Sequence, residues 1–232
     1  VILPSEKFSE HVRFIEGNLD IIYEDEYFLV VNKPVNLPSI PSRNEEDASL
    51  LEIVNTYFRD NNYATIPHIV TRLDKNTTGL VLIAKHRHIH ALFGKTDINK
   101  FYLALAKGKV ADQVIEANIK READSIITRC VAEDGDYAKT QVWLEKYDEK
   151  KDVSLAKLKL FTGRTHQIRV HMSHLGHPLL GDELYGGNKD LIARQALHCH
   201  NLQFKHPITQ KELSLEAPLA GDIMMITDIK PR

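Results

Sequence analysis

Three short stretches of this chain carry residues whose types and spacing could do chemistry. The first is TRLDKNTTG, from Thr71 to Gly79. In extended chain a carboxylate two residues after an arginine lies on the same face, so Arg72 and Asp74 are predicted to sit within salt-bridge reach. The guanidinium would keep Asp74 ionised even under partial burial, which suits a nucleophile or a base. An isolated R-x-D is more often a structural pair supporting a turn, so the motif alone decides little.

The second stretch is FTGRTHQIRVHMSHLGHPLLGDELYGG, from Phe161 to Gly187. A glycine turn, a cap at Thr165 and a helix through His171 to about Leu175 would offer backbone N–H groups, Gln167 and Arg169 to an anion or to a protein carboxylate. Arg169 could pair with Asp74 if the two segments meet, and Ile168 could wall the same site. His166, His171, His174 and His177 suggest a metal, but no carboxylate lies among them, and polar or RNA-facing roles are favoured. The third stretch is KFYLALAKG. A strand tyrosine such as Tyr102 is usually core; its functional reading is a ring stacked on an unpaired base.

The surrounding elements must position these groups. LDIIYEDEYFLVVNKP reads as a hairpin about Glu24-Asp25-Glu26, and NLPSIPSRNEE as a loop. Asp47 is predicted to cap a helix with Leu50, Leu51, Val54, Tyr57 and Phe58 on one face, ending at Asp60-Asn61-Asn62. HIVTRLD, a turn over Lys75–Gly79 and the strand LVLIA follow, then a short helix from Arg87 to Phe93. Strands are predicted at FYLALAKG, KTQVWLEKY, VSLAKLKLF, Cys199–Phe204 and Glu212–Leu215. Gly176 and Pro178 stop the helix after Thr165. Many strands, few helices and short turns predict an α+β fold with a large, mainly antiparallel sheet.

Composition bounds the class. The chain has 232 residues, 43% hydrophobic and 27% charged, as in ordinary globular proteins. Without a long apolar run or a signal-like N-terminus it is expected to be soluble and cytoplasmic, with no membrane partner. Cys130 and Cys199 lack disulfide or zinc spacing and are taken as bystanders. The net charge of -2 hides an asymmetry. Residues 68–109 hold eight basic residues against Asp74 and Asp97, and Lys157–Gly181 adds Lys157, Lys159, Arg164 and Arg169 with no carboxylate. If these windows meet they form a positive groove; from charge alone, a solvated face is equally expected.

In order and separation, R-L-D-x-x-T-T-G-L, K-x-Y-x-A, G-R-T-H-Q-I-R-x-H and G-D-x-x-Y-G together resemble the RluA-type family of RNA pseudouridine synthases, over roughly Leu19 to Ala220. The resemblance implies a pseudouridine synthase fold: a bent, mainly antiparallel mixed sheet with flanking helices and loops and a central RNA-binding cleft. It implies that Asp74 is the catalytic aspartate, that Tyr102 packs on the target uracil, and that Arg169 pairs with the catalytic carboxylate. Arg72 would help displace the target nucleotide and Ile168 would line the pocket. With Thr78, Arg164, His166 and Gln167 these two complete the candidate RNA-binding set. No metal and no cofactor are implied, and the partner is RNA, ribosomal in preference to transfer RNA, bound by a monomer. Residues 1–18 resemble the remnant of an upstream RNA-binding module, and 19–232 the catalytic domain. Thr71 replaces a common His, Thr78 a common Ser, and the V-H-P often found after N-K-P is missing; these bear on which RNA is read.

Uridine isomerisation breaks the bond from ribose to ring nitrogen one, turns the uracil and rejoins it at carbon five, with no redox change. Asp74 could attack ribose carbon one, add to uracil carbon six, or abstract the proton at ribose carbon two; the sequence leaves all three open. The rivals are an RNA-binding or assembly domain without catalysis and a histidine metallohydrolase.

Overall fold

The computed structural model describes residues 5–41 and 48–227. In chain order the elements are β1 (Ile21–Glu24), β2 (Phe28–Lys33), α1 (Leu50–Asp60), β3 (His68–Ile69), β4 (Thr78–Ala84), α2 (Arg87–Phe93), β5 (Asn99–Lys107) and β6 (Gln113–Glu116). They continue with β7 (Ile119–Arg121), β8 (Arg129–Val131), β9 (Lys139–Asp148), β10 (Val153–Leu160), α3 (Gln167–His174), β11 (Leu197–Lys205), β12 (Glu212–Glu216) and α4 (Gly221–Thr227). The fold is mixed α+β, as expected. Two compact units divide it: residues up to 98 with 201–217, and 99–200 with 218 onward.

In the first unit β1 and β2 form the predicted antiparallel hairpin. Its acidic turn is held by Asp25, whose carboxylate accepts from the backbone N–H of Tyr27 (2.7 Å) and Phe28 (3.0 Å) and from the Tyr23 hydroxyl (2.8 Å). β2 pairs antiparallel with β4, from Phe28 opposite Ala84 to Lys33 opposite Gly79. Every residue of β4 is buried, which explains why it reads as a continuous apolar run rather than an alternating one. Phe28 stands 5.3 Å from Phe93 on α2 and 5.7 Å from Phe204 on β11, edge-on in both cases.

Helix α1 begins two residues later than expected. Asp47 lies outside the described residues, and the cap is Ser49, whose Oγ accepts from Glu52 N while the Glu52 carboxylate accepts from Ser49 N at 2.8 Å. Arg13 completes this buried carboxylate at 3.1 Å. Asn55 and Thr56 donate to the carbonyls of Arg13 (3.2 Å) and Ile15 (2.9 Å), so the segment before β1 is tied across the helix.

In the second unit β5, β10, β9 and β6 pair antiparallel in that order, with Tyr102 opposite Leu158 and Leu158 opposite Val142. Strands β7 and β8 form a separate hairpin. β6, β7, β8 and α4 were not predicted; β7 and β8, at three residues each, are too short for periodicity to register. α4 is fastened by Arg194, which forks onto Asp222 at 2.7 and 2.8 Å.

Phe28 is fully buried at the centre of the aromatic group. Phe28→Ala is expected to lower unfolding free energy by about 3–5 kcal/mol in urea titration; a loss under about 1 kcal/mol would contradict this packing account.

Candidate active site

Asp74 opens a turn closed by its own carbonyl, which accepts from Thr77 N at 3.0 Å. Two buried side chains anchor that turn. Ser39 Oγ accepts from Leu73 N and donates to Leu73 O, both at 2.9 Å. Lys33, with no exposed surface, donates from Nζ to the carbonyls of Pro34 (2.9 Å), Leu37 (2.7 Å) and Lys75 (3.1 Å). The residue after Asp74 is thereby bound to the loop that follows β2. Upstream, Thr71 is buried and its Oγ1 accepts from Leu82 N at 2.9 Å, fastening the motif to β4. Downstream, Gly79 has φ 109°, a region that a side chain would make costly.

The expected Arg72–Asp74 pair is not made. Thr71 and Leu73 point inward and Arg72 outward, as alternation requires, but the chain turns at Asp74 before the next outward position is reached. Arg72 is exposed and makes no hydrogen bond or ion pair among the described residues.

Arg169 sits on α3, 6% exposed, and its Nε and Nη2 fork onto the carboxylate of Asp182 at 2.7 and 2.8 Å. The Tyr185 ring lies under the guanidinium, 4.9 Å from Cζ. Asp182 follows Gly181, which has φ +73° and where a Cβ would meet the Arg194 carbonyl oxygen at 1.9 Å, so only glycine fits. The Tyr185 hydroxyl accepts from Arg129 N (3.0 Å), leaving its proton for His166 Nδ1 at 2.7 Å. Burial pushes this phenol above its ordinary pKa and keeps it a donor.

α3 also begins differently from expectation. Its N-cap is His166, not Thr165, in the left-handed region at φ 58° with no side-chain cap. The bond to Tyr185 holds that strained residue in place. Gln167, predicted to face RNA, is 2% exposed. Its Oε1 accepts from Thr162 Oγ1 and Arg164 N, and its Nε2 donates to Lys139 O and Thr140 Oγ1. The amide is therefore fully used in shaping the TGRTH loop. Thr78 is likewise buried, at the start of β4, whereas Arg164 is exposed and His166 half-buried.

Tyr102 is 5% exposed on the β5 face that also carries Lys100, whose ammonium burial pushes below its usual pKa. α3 packs on that face, where His171 takes Thr140 Oγ1 and the Ala117 carbonyl at 2.9 Å each. Burial lowers the pKa of His171, and both its ring nitrogens are engaged. His177 is turned to the Lys107 carbonyl at 2.8 Å. Among the described residues no three His, Cys, Asp or Glu side chains gather as a metal site, and no helix is long and apolar enough to cross a membrane.

A family model described as RNA pseudouridylate synthase matches residues 27–174, well over half of the chain and including Asp74, Tyr102 and Arg169. The chain belongs to the RluA-type family of RNA pseudouridine synthases. Its relatives in that family include the uncharacterized RNA pseudouridine synthase YjbO of Bacillus subtilis (strain 168), 42% identical over 96% of this chain and 80% of the other. Ribosomal large subunit pseudouridine synthase D of Vibrio parahaemolyticus is 38% identical over 90% of this chain and 70% of its own. Human RNA Pseudouridylate Synthase Domain Containing 1 superposes with TM-score 0.71 at 28% identity, covering 87% and 83% of the two chains. As a pseudouridine synthase the chain is an isomerase acting on uridine in RNA.

The family motifs contain partners whose roles the sequence did not disclose: Lys33 in N-K-P, and Asp182 and Tyr185 in G-D-x-x-Y-G. Lys33→Met should cost about 2–3 kcal/mol by stranding buried carbonyls and should slow single-turnover isomerisation while RNA affinity holds; an unchanged rate would show that the turn does not need this ammonium. Asp182→Asn should cost about 3–5 kcal/mol in equilibrium unfolding, because Arg169 stays buried with its charge uncompensated, and a loss within 1 kcal/mol would count against the pair.

Proposed function

We propose that the chain converts uridine to pseudouridine in large-subunit ribosomal RNA, with Asp74 as the catalytic carboxylate, Tyr102 against the target uracil, and Arg169 as the basic group of the reaction. The observation that carries the proposal is the turn at Asp74. Buried Lys33 and Ser39 hold the backbone on either side of this half-buried residue, the kind of positioning that a reacting carboxylate requires. A support of this kind is more than a surface turn needs.

Each entry step, whether at ribose carbon one, uracil carbon six or ribose carbon two, draws on the same ionised oxygen pair. The net reaction exchanges one glycosidic bond for another and consumes no electrons, so no external redox group enters its stoichiometry. Arg72, exposed two residues before Asp74, meets the nucleic acid together with exposed Arg164 and half-buried His166, while buried Ile168 lines the pocket. A tyrosine packed on the base fits the usual way proteins hold an extruded nucleotide. Ribosomal RNA is favoured because the relative at 38% identity bears a large-subunit name. The protein acts as a monomer in the cytoplasm, without metal or cofactor.

Asp74→Asn keeps the side-chain shape and removes the negative charge. In cells lacking the gene, the wild-type chain should restore specific pseudouridines in large-subunit RNA and the Asp74→Asn chain should restore none. Restoration by that variant at the wild-type level would end the assignment of Asp74. Pseudouridines lost only from transfer RNA would move the substrate.

A further inference from the structure

The sheet of the second unit has two differently furnished faces. Side chains alternate along β5 and β10, so Tyr102 and Leu158 share one face while Phe101, Lys157 and Lys159 share the other. Two lysines of the basic window Lys157–Gly181 therefore lie on the side away from Tyr102. Part of that opposite face is covered by the cluster of Leu105, Val153, Leu155 and Ile223, but the end toward Phe101 is not.

What stands there is a row of cations interleaved with rings. Lys157 Nζ lies 5.3 Å and Lys159 Nζ 5.5 Å from the centre of Phe101, and Lys159 lies 5.0 Å from that of Phe161. Trp143, half-buried, is directly opposite Lys157 across the ladder. Lys139 sits 5.5 Å from Phe161 but is neutralised by Glu116 at 2.6 Å. Lys157 and Lys159 have no carboxylate partner among the described residues. Phe161 is 51% exposed, ahead of the other exposed aromatic side chains, Tyr137 at 49% and Phe14 at 37%.

Uncompensated ammonium groups beside an exposed ring match what unpaired nucleic acid offers: phosphates for the cations and a base face for the ring. We propose that this face, built from Phe101, Lys157, Lys159 and Phe161, is a second RNA-contact surface that grips a single-stranded stretch outside the segment undergoing isomerisation. A base stacks on Phe161, and adjoining phosphates take the two lysines. The inference rests on the reading that RNA is what this chain handles. It adds a holding site remote from the chemistry, which would favour substrates with an unpaired stretch beyond the target uridine.

The test measures binding of a short fluorescent oligouridylate across a salt series, alongside single-turnover isomerisation at saturating ribosomal RNA. Phe161→Ala should weaken oligouridylate binding about tenfold. Lys157→Gln with Lys159→Gln should weaken it and flatten the slope of log affinity against log salt by about 1.4, for two lost phosphate contacts. Lys159→Glu, a single exchange on a half-exposed position, serves as the independent variant and should weaken binding further than Lys159→Gln. All should keep the wild-type melting temperature and the wild-type rate at saturation. Unmoved affinity and salt slope in a wild-type-like fold overturn the surface while leaving the isomerase assignment intact. Loss of oligouridylate binding by the variants of a chain that does not isomerise uridine would uphold the surface and overturn the proposed function instead.

Discussion

The turn at Asp74 depends on a buried ammonium. Lys33 ends β2 with its Nζ inside the protein, where an ion without hydrogen bonds would be prohibitively unfavourable. Three carbonyl oxygens satisfy it, two from the loop just after the strand and one from Lys75, 42 residues further on. A long-range bond of this kind fixes the backbone on the far side of Asp74, as Ser39 fixes the near side through Leu73. The carboxylate then inherits its position from groups that are themselves buried and hydrogen-bonded. The backbone on both sides of Asp74 is thus fixed by buried polar groups.

The second unit repeats the logic with a different ion pair. Arg169 and Asp182 are both nearly inaccessible, and their forked geometry is what makes such burial tolerable. Tyr185 is packed beneath the arginine and in turn steadies His166 in its left-handed conformation. The loop through Arg164, shaped by Gln167, is thus set by residues on both sides of α3. Residues called RNA-facing on motif grounds divide accordingly: Arg72 and Arg164 are out in solvent, while Gln167 and Thr78 build the frame.

Much of this was legible beforehand, and the exceptions have physical causes. The hairpin at Asp25, α2 from Arg87 to Phe93, and the strand ends near Phe204 and Leu215 follow from local patterns that the chain alone contains. So does the antiparallel character of the sheet. The start of α1 was misplaced because two candidate caps, Asp47 and Ser49, stand close together, and the reciprocal Glu52 three residues after Ser49 was the overlooked signal. The three-residue strands β7 and β8 carry too little alternation to be seen. The Arg72–Asp74 pair failed because two-residue alternation assumes a strand, and the chain was already turning. Lys33, Asp182 and Tyr185 were hidden for another reason: each has a partner well separated in sequence, Lys75, Arg169 and His166 respectively, and no local pattern encodes such a contact.

The central claim is that the carboxylate set by Lys33 and Ser39 is the one that touches the reacting nucleotide. It is tested most directly by a structure of the Asp74→Asn protein bound to an RNA carrying its target uridine. The account predicts an extruded uridine with the side chain of residue 74 within about 3.5 Å of ribose carbon one, ribose carbon two or uracil carbon six. A uridine seated with that side chain turned away from all three atoms would contradict it.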